Sequence, residues 1–371
     1  MGKFLTSVVI LSLSMFAATS AQAAVQYTVT DLNLFGMDSS AYGINASGQV
    51  VGYTWTTDIT AMHAFLYSDS TMHDLGTLDG RDSFAYGINA IGQVVGESFI
   101  SDNAATHAFL YNGTKMIDLG TLGGTYSGAN SINNIGQIVG WSNSYEDTIP
   151  RAFLFNGTKM IDLGTLGGTN SGAKDINNNG QVVGSANIAD DTARHAFLYS
   201  DTKMIDIGTL GGTDSYAFGI NDSGHVVGNA YITNNDVYHA FLYNGTKMID
   251  IGTLSVADSS ANDINNMGQV VGSFYISGDS VWHAFLYSDS MATDLNTLID
   301  PLSGWTLLDA RAINDAGQIV GYGLNGNQPH AFLLTPIPEP STLALLCFAF
   351  IGNYMCMSIY GKIENRKFRI F

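Results

Sequence analysis

One unit of 44 residues recurs along most of this chain, and it constrains the fold more than any other feature. Copies of the tripeptide His-Ala-Phe mark the unit, and Arg151-Ala-Phe fills the one remaining place in the series. The first six copies are 44 residues apart, and the last follows after 47. A period of about 40–45 residues with several short strands is typical of a propeller blade. The histidines of the series are His63, His107, His195, His239, His283 and His330.

Each unit contains four short β segments, which we call strands a, b, c and d in chain order. Strand a ends at Asn-x-x-Gly, strand b begins with a sequence such as Gln-Val-Val-Gly, strand c carries His-Ala-Phe, and strand d reads Met-Ile-Asp-Leu. Asn-x-x-Gly suits a type I turn followed by a left-handed glycine, and Asn112-Gly113 suits a two-residue type I′ turn between c and d. No run in the repeats has the periodicity of a long helix, so the pattern predicts an all-β domain.

A count of the strands predicts a closed ring. Strands a, b and c each occur seven times, whereas strand d follows a c strand only six times. A seventh d-like segment, residues 27–32, stands alone at the start, and the last unit ends without a d strand. An open solenoid needs polar caps at both ends, but a ring needs complementary ends. We therefore predict a seven-bladed β-propeller over residues 24–335, whose last blade is completed by the N-terminal strand.

Composition excludes several classes of function. The formal net charge is −18, which disfavours binding to nucleic acid or anionic lipid. The two cysteines, Cys347 and Cys356, lie in the C-terminal apolar segment, so a disulfide scaffold or a thiolate site in the repeats is excluded. No cofactor or metal is expected, although the acidity leaves Ca²⁺ open as a counter-charge. Asp175-x-Asn177-x-Asn179-Gly180 resembles the start of an EF-hand, but Ala186 stands where the glutamate is required, so we interpret it as a hairpin turn.

Both ends of the chain have the features of targeting segments. Residues 1–23 combine Lys3, an apolar run and the small-residue site Ala21-Gln22-Ala23, which predicts a helical secretory signal peptide; an N-terminal anchor is the alternative. Residues 336–371 contain Pro338-Glu339-Pro340, an apolar stretch over 341–360 and a basic end. About 20 apolar residues suffice to cross a bilayer, so this stretch predicts a transmembrane helix.

The C-terminal segment resembles the PEP-CTERM sorting signal, in which Pro-Glu-Pro precedes a transmembrane helix and an arginine-rich end. That resemblance implies a transient inner-membrane anchor, cleavage by an exosortase-type enzyme and delivery to the cell surface or exterior; a permanent single-span anchor is the alternative. Asn353 interrupts the apolar stretch, and the basic tail is longer and poorer in arginine than the family pattern. The repeats resemble the bacterial extracellular HAF repeat family, which implies surface location and no defined activity.

The repeated histidines are predicted to be structural. A two-residue turn at Asn112-Gly113 would place His107 opposite Asp118, and the same offset of eleven residues recurs in the other units. By closure of the ring, His330 should face Asp31. Opposite charges across an antiparallel pair stabilise it by roughly 0.2–1 kcal/mol, and arginine can replace histidine in this role but not as a zinc ligand.

The b–c loops differ in every unit, and we expect any ligand specificity on their face of the ring. Aromatic rings beside carboxylates there suit sugar stacking and hydrogen bonding. Glu97, Glu146 and Arg311 are irregular polar residues, but no spacing links them into a catalytic arrangement. The candidate ligand-binding residues are Trp55, Trp141, Tyr145, Glu146, Asp147, Tyr238 and Trp282.

These observations predict an exported binding or structural protein of the cell surface or matrix. Its expected partners are the export machinery, an exosortase-type sorting enzyme and exopolysaccharide, with membrane contact only through the C-terminal segment before processing. The alternative is a secreted polysaccharide hydrolase or lyase on a propeller scaffold.

Overall fold

The repeats form seven four-stranded antiparallel sheets. The computed structural model describes residues 27–33, 38–144, 147–252, 257–276, 278 and 281–338. The predicted signal peptide, the apolar C-terminal segment and Glu339-Pro340 of the sorting motif lie outside these ranges. In the part of the chain that is described, no helix has the length and apolar character needed to cross a bilayer.

Each sheet is one blade, with its strands in the chain order a, b, c, d for blades 1 to 6. Blade 1 contains β2 (Ser39–Ile44), β3 (Val50–Trp55), β4 (Met62–Ser68) and β5 (Thr71–Asp74). Blade 2 contains β6 (Ser83–Ile88), β7 (Val94–Phe99), β8 (Thr106–Tyr111) and β9 (Met116–Asp118). Blade 3 contains β10 (Gly123–Ile132), β11 (Ile138–Ser144), β12 (Asp147–Phe155) and β13 (Met160–Asp162).

The next three blades follow the same plan, with short 3₁₀ turns in some connections. Blade 4 contains β14 (Gly167–Ile176), β15 (Val182–Ile188), β16 (Arg194–Ser200) and β17 (Lys203–Asp206). Blade 5 contains β18 (Gly211–Ile220), β19 (Val226–Ile232), β20 (Tyr238–Tyr243) and β21 (Met248–Asp250). Blade 6 contains β22 (Ser259–Ile264), β23 (Val270–Ile276), β24 (Val281–Ser288) and β25 (Met291–Asp294). The 3₁₀ turns are Ser101–Asn103, Ala189–Asp191 and Leu295–Thr297.

Blade 7 confirms the predicted closure of the ring. Its strands are β26 (Trp305–Ile313), β27 (Ile319–Asn325), β28 (Gln328–Pro336) and the N-terminal β1 (Tyr27–Asp31). The N-terminal strand pairs antiparallel with β28, so it takes the outer place that strand d occupies elsewhere. The two ends of the described chain are therefore held in one sheet.

The hydrophobic core is divided into seven clusters, each between two neighbouring blades. Val51 and Ala64 of blade 1, for example, pack against Val94 and Phe109 of blade 2. Both faces of every blade are covered, which explains why strand b begins with consecutive apolar residues instead of alternating ones. The phenylalanines of the tripeptide series are among the largest fully buried side chains: Phe65, Phe109, Phe153, Phe197, Phe241, Phe285 and Phe332.

A closed ring of hydrogen bonds joins the inner ends of the blades. The asparagine of each a–b turn donates its side-chain Nδ2 to the backbone carbonyl of the equivalent asparagine in the next blade, at 3.0–3.3 Å. The last of these bonds runs from Asn314 to Asn45 and closes the circle. The ring asparagines, all buried, are Asn45, Asn89, Asn133, Asn177, Asn221, Asn265 and Asn314.

The predicted histidine–aspartate pairs are present, but the predicted register is wrong by two residues. His107 Nδ1 lies 2.8 Å from Asp118 Oδ2, and the six histidines show this contact at 2.7–2.9 Å. Arg151 reaches Asp162 at 3.3 Å. Asp118 stands opposite Phe109, two residues beyond His107 on the same face, so the pair is diagonal.

The turn chemistry explains the error in register. At Asn112-Gly113 only the glycine has a positive φ, of 94°. This is the pattern of a type II′ turn with Gly113 and Thr114 at its centre, and it corrects the predicted type I′ turn. Two consecutive positive φ angles, as a type I′ turn requires, occur instead at Asp69-Ser70, Asp201-Thr202 and Asp289-Ser290. His107 still contacts Asp118, because a register shift of two residues leaves each side chain on the same face of its strand.

Candidate functional site

The inner strand of each blade has a position whose large side chain differs around the ring. It lies three residues before the ring asparagine, and all seven occupants line one cavity of about 320 Å³, which we call the channel cavity. Residues of the a–b turns, Asp222 among them, line the same cavity, so it lies toward the turn face of the ring. The seven occupants are Tyr42, Tyr86, Asn130, Lys174, Phe218, Asn262 and Arg311.

Arg311 is held on several sides at the wall of this cavity. Its Nε donates to Asp309 Oδ2 at 3.0 Å, and its guanidinium lies 3.9 Å from the ring centroid of Tyr42 and 4.6 Å from that of Tyr322. Such cation–π contacts add to the ion pair. Burial raises the pKa of Tyr42 to about 12, so its phenol stays protonated at neutral pH and is not a ready nucleophile. Arg311 therefore joins blades 7 and 1.

Glu97 and Arg311 belong to one chain of contacts, although no spacing in the sequence links them. The Tyr86 hydroxyl donates to Glu97 Oε1 at 3.0 Å, and the Tyr86 ring stands edge-on to that of Tyr42 at 5.2 Å. Burial raises the pKa of the Glu97 carboxyl. The chain thus runs from Asp309 through the two tyrosines to Glu97, across three blades.

Two half-buried aspartates connect further blades. Asp175 accepts hydrogen bonds from the Ser131 hydroxyl at 2.7 Å and the Ile220 backbone N–H at 2.9 Å. Asp263 accepts from the Ile313 backbone N–H at 2.9 Å. Burial, with a smaller contribution from the charge of Asp175, raises the pKa of Asp263 to about 7.

The calcium-loop resemblance does not extend to a metal site. Gly180 donates its backbone N–H to the Asn177 carbonyl at 3.0 Å, as expected for a hairpin turn, and Asp175 is engaged by neighbouring blades. No group of three or more His, Cys, Asp or Glu side chains within the described ranges is placed to hold a metal ion.

A second cavity, of about 360 Å³, lies between blades 3 and 4, and we call it the blade-3/4 cavity. Its wall includes the Trp141 ring, Pro150, Lys174 and Arg194. Lys174 and Asn130 line both this cavity and the channel cavity. A site of this size can enclose one small ligand, and an aromatic ring beside polar groups is the usual lining of such sites.

Gly172 keeps the blade-3/4 cavity open. A Cβ atom on Gly172 would lie 3.8 Å from Arg194 Nη2 and 4.0 Å from Trp141 Cβ, so a longer side chain would enter the cavity. In blade 5 the equivalent position is Tyr216, which pairs with Asn229 as Gly172 pairs with Ser185. The cavity therefore depends on a glycine at a place where the same strand can carry a large residue.

The two cations of this cavity differ in their contacts. The Arg194 guanidinium donates to Ser185 Oγ at 2.8 Å and to Asn170 Oδ1 at 2.6 Å. Lys174 is exposed to the cavities and makes no hydrogen bond or ion pair with another described residue. The ammonium group lies within the cavity walls, and the desolvation that they impose lowers its pKa.

The structure places the predicted ligand residues on different blades, and their assignment to the b–c loops is wrong. The described ones lie in strands: Trp55 in β3, Trp141 in β11, Asp147 in β12, Tyr238 in β20 and Trp282 in β24. Trp55 lines a small cavity of about 100 Å³ on blade 1, Tyr238 packs against Tyr231 on blade 5, and Trp282 packs against Tyr275 on blade 6. Trp141 is the one that is brought together with Lys174 and Arg194. Tyr145 and Glu146 lie outside the described residues, as does the side chain of Asp147.

Sequence reasoning missed Lys174 because it sought ligand-binding residues only on the face of the b–c loops. A usable signal was present, since the position three residues before the ring asparagine is tyrosine, asparagine, lysine, phenylalanine or arginine, whereas the asparagine itself is the same in every unit. Arg194 is the first residue of β16, and its role in the cavity depends on the fold.

Comparisons with known proteins support the fold alone. No family model and no curated protein matches the sequence. The β-propeller domain of the Trilobed protease from Pyrococcus furiosus, described as having an open Velcro topology, is 8% identical with a TM-score of 0.54, covering 82% of this chain and 99% of that domain.

Two further solved structures match with lower TM-scores. A gluconolactonase from Xanthomonas campestris is 10% identical with a TM-score of 0.40, over 86% of this chain and 94% of that one. Trypanosoma rangeli sialidase is 9% identical with a TM-score of 0.38, over 88% of this chain and 57% of the sialidase.

Proposed function

We propose that this chain is an exported binding protein of the cell surface or extracellular matrix, and that its propeller binds a saccharide of the surrounding exopolysaccharide. The observation that carries the proposal is the blade-3/4 cavity, which combines the half-buried side chain of Trp141 with amide, hydroxyl and cationic groups. Sugars bind to such surfaces by placing the apolar face of the ring on an aromatic side chain and hydrogen-bonding their hydroxyls.

Export and surface delivery form the second part of the proposal. The signal-like residues 1–23 and the sorting-signal-like residues 336–371 flank the propeller, and their features support passage through the export machinery and processing by an exosortase-type enzyme. β28 ends at Pro336, just before the motif, so cleavage near Pro338 would leave every described strand intact. Mass spectrometry of the mature protein tests this step, because retention of the C-terminal segment would favour a permanent anchor.

The saccharide site is tested by glycan-array binding of the full-length protein in mild detergent, with and without Ca²⁺. Trp141→Ala should abolish binding because it removes the aromatic wall. Gly172→Tyr should also abolish it, since it fills the cavity with a residue that blade 5 carries at the same position. Both variants should retain the β-sheet circular dichroism of the parent protein.

Trp282→Ala is the matched control, because it removes a tryptophan from blade 6, away from the cavity. Loss of binding in this variant alone would move the site to the blade 6 loop. Turnover of a bound polysaccharide would replace the binding proposal with the alternative of a hydrolase or lyase.

A further inference from the structure

The charge of the blade-3/4 cavity is the reverse of the charge of the protein. The chain has 32 acidic and 14 basic residues, yet the cavity wall contains Lys174 and Arg194 and no carboxylate. Most other basic residues of the repeats lie on the outer rim of the ring, in or beside the c–d turns. Two cations that share one small cavity repel each other, so their placement suits an anionic ligand.

The bonding of the two cations supports the same conclusion. The Arg194 side chain contacts only neutral oxygens among the described residues: those of Ser185, Asn170 and Asn187. Carboxylates act on both cations only through their charge: Glu97 on Lys174 and Asp214 on Arg194. Glu97 Oε1 accepts the Tyr86 hydroxyl instead. The ammonium group of Lys174 therefore retains its donors for a ligand, and Arg194 is held in place beside it.

We infer that the blade-3/4 cavity binds an acidic sugar residue, one that carries a carboxylate or a sulfate ester. The sugar ring lies against Trp141, and its negative group accepts hydrogen bonds from Lys174 in the field of Arg194. This inference rests on the proposed saccharide binding and adds the chemical class of the ligand. Charge-assisted hydrogen bonds of this kind are about twice as strong as neutral ones.

The overall charge of the protein limits the form of the ligand. A long polyanion lying across the surface would meet the repulsion of a net charge of −18. At physiological salt, charges more than about 8 Å apart are largely screened, so a single acidic residue inside the cavity interacts mainly with the two cations. The site should therefore recognise one acidic residue within a glycan and should gain little from additional charges along the chain.

Isothermal titration of the full-length protein in mild detergent tests the inference with three ligands. These are a short oligouronate, the same oligosaccharide with its carboxylates reduced to alcohols, and a sulfated form of that neutral oligosaccharide. The wild-type protein should bind at least one of the two acidic ligands roughly tenfold or more tightly than the neutral one. The ratio of the affinities for the carboxylated and the sulfated ligand decides which anionic group the site prefers.

Lys174→Gln should weaken acidic-ligand binding by roughly tenfold and should weaken neutral-ligand binding much less, because glutamine keeps a hydrogen-bond donor but loses the charge. Lys203→Gln is the matched control: it makes the same change of charge at an exposed residue of the outer strand β17 and should change affinity less than about twofold. Arg194→Lys is a second test of the acidic-ligand affinity. It retains the charge but loses the contacts to Ser185 and Asn170 that orient the side chain, so it should also weaken binding of the acidic ligand.

The outcomes separate the two proposals. If neither acidic nor neutral ligands bind, and the glycan array is also negative, saccharide binding itself is wrong. Equal binding of all three ligands, with no effect of Lys174→Gln, would overturn the acidic-sugar inference and leave saccharide binding intact. A loss that is equally large in Lys203→Gln would mean that the whole-protein charge, and not this cavity, controls the affinity.

Discussion

The ring asparagine of each a–b turn and the strand residue three positions before it differ in how much they vary between blades. The asparagine is the same in all seven blades, whereas the other position holds residues as different as Phe218, Lys174 and Arg311. Each asparagine bonds to backbone, and backbone geometry repeats from blade to blade. The variable side chains face a common cavity instead, where no repeated partner restricts them. In this fold, identity between blades marks scaffold, and variation on the inner strand marks the residues available for a function.

The largest loss of stability is expected when a hydrogen bond of the asparagine ring is removed. Asn177→Ala removes the bond to the Asn221 carbonyl and the acceptor for the Gln181 backbone N–H, and it leaves buried polar groups without partners. Each such group costs about 1–3 kcal/mol, so urea unfolding should show a loss of roughly 2–4 kcal/mol.

Asn178→Ala is the control for this substitution, because Asn178 is exposed and bonds to the Asp222 side chain. It should cost less than about 1 kcal/mol. Equal losses in the two variants would show that the buried ring has no special role in stability.

Asp263 in the channel wall should make the free energy of unfolding depend on pH. The pKa of Asp263 is raised to about 7 in the folded protein, so between about pH 4 and 7 the unfolded chain releases a proton that the folded protein retains. The contribution of Asp263 to the free energy of unfolding should therefore be full at low pH and fall as pH rises to 7. Because Asp263 is only half-buried at the channel cavity, we expect a fall on the order of 1–2 kcal/mol.

Unfolding of the wild-type protein and of Asp263→Asn, measured from pH 4 to 8, tests this prediction. The difference in free energy between the two proteins should change with pH in that window and become constant above it. A difference that stays constant from pH 4 to 8 would mean that Asp263 ionises normally in the folded state.

The smallest loss of stability is expected from substitutions at the outer edge of the blades, where the repeated histidines lie. The hydrogen bond to Asp74 raises the pKa of His63, so the pair stabilises the fold fully below the unfolded histidine pKa, about 6.5, and loses this contribution as pH rises through the folded value. His63→Gln should cost roughly 0.2–1 kcal/mol at pH 6 and less at pH 8. Replacement of Arg151 by histidine should be close to neutral, because the structure uses both residues in the same pair. A cost of several kcal/mol at His63 would show that the outer edge is as important for stability as the inner ring.

The outer strands show how far local sequence reasoning extends. The partner of each histidine was predicted correctly, because the spacing of eleven residues is the same in every unit. The register was wrong by two residues, because Asn112-Gly113 was assigned to the centre of a type I′ turn, whereas Gly113 and Thr114 form the centre. Dihedral angles at a turn depend on the strands that it joins, and Asn-Gly alone is compatible with more than one arrangement.

The candidate site was predicted less completely than the fold. Trp141 was identified because its segment differs between units, although it lies in strand β11 and not in a loop. Trp55, Tyr238 and Trp282 lie on other blades, and no sequence pattern indicated which tryptophan or tyrosine would meet cations. Lys174 and Arg194 are 20 residues apart on the first and third strands of one blade, and they meet across a space that Gly172 leaves empty.

The sequence by itself determined the number of blades, their four strands and the closure of the ring, because these depend on a repeat whose period and phase can be counted. Only the tertiary structure decided which residues meet in the channel and between blades 3 and 4. A repeat determines contacts that occur once per unit, since each unit meets the next in the same way. A cavity depends instead on the few positions where neighbouring units differ, and their side chains come together only when the ring has closed.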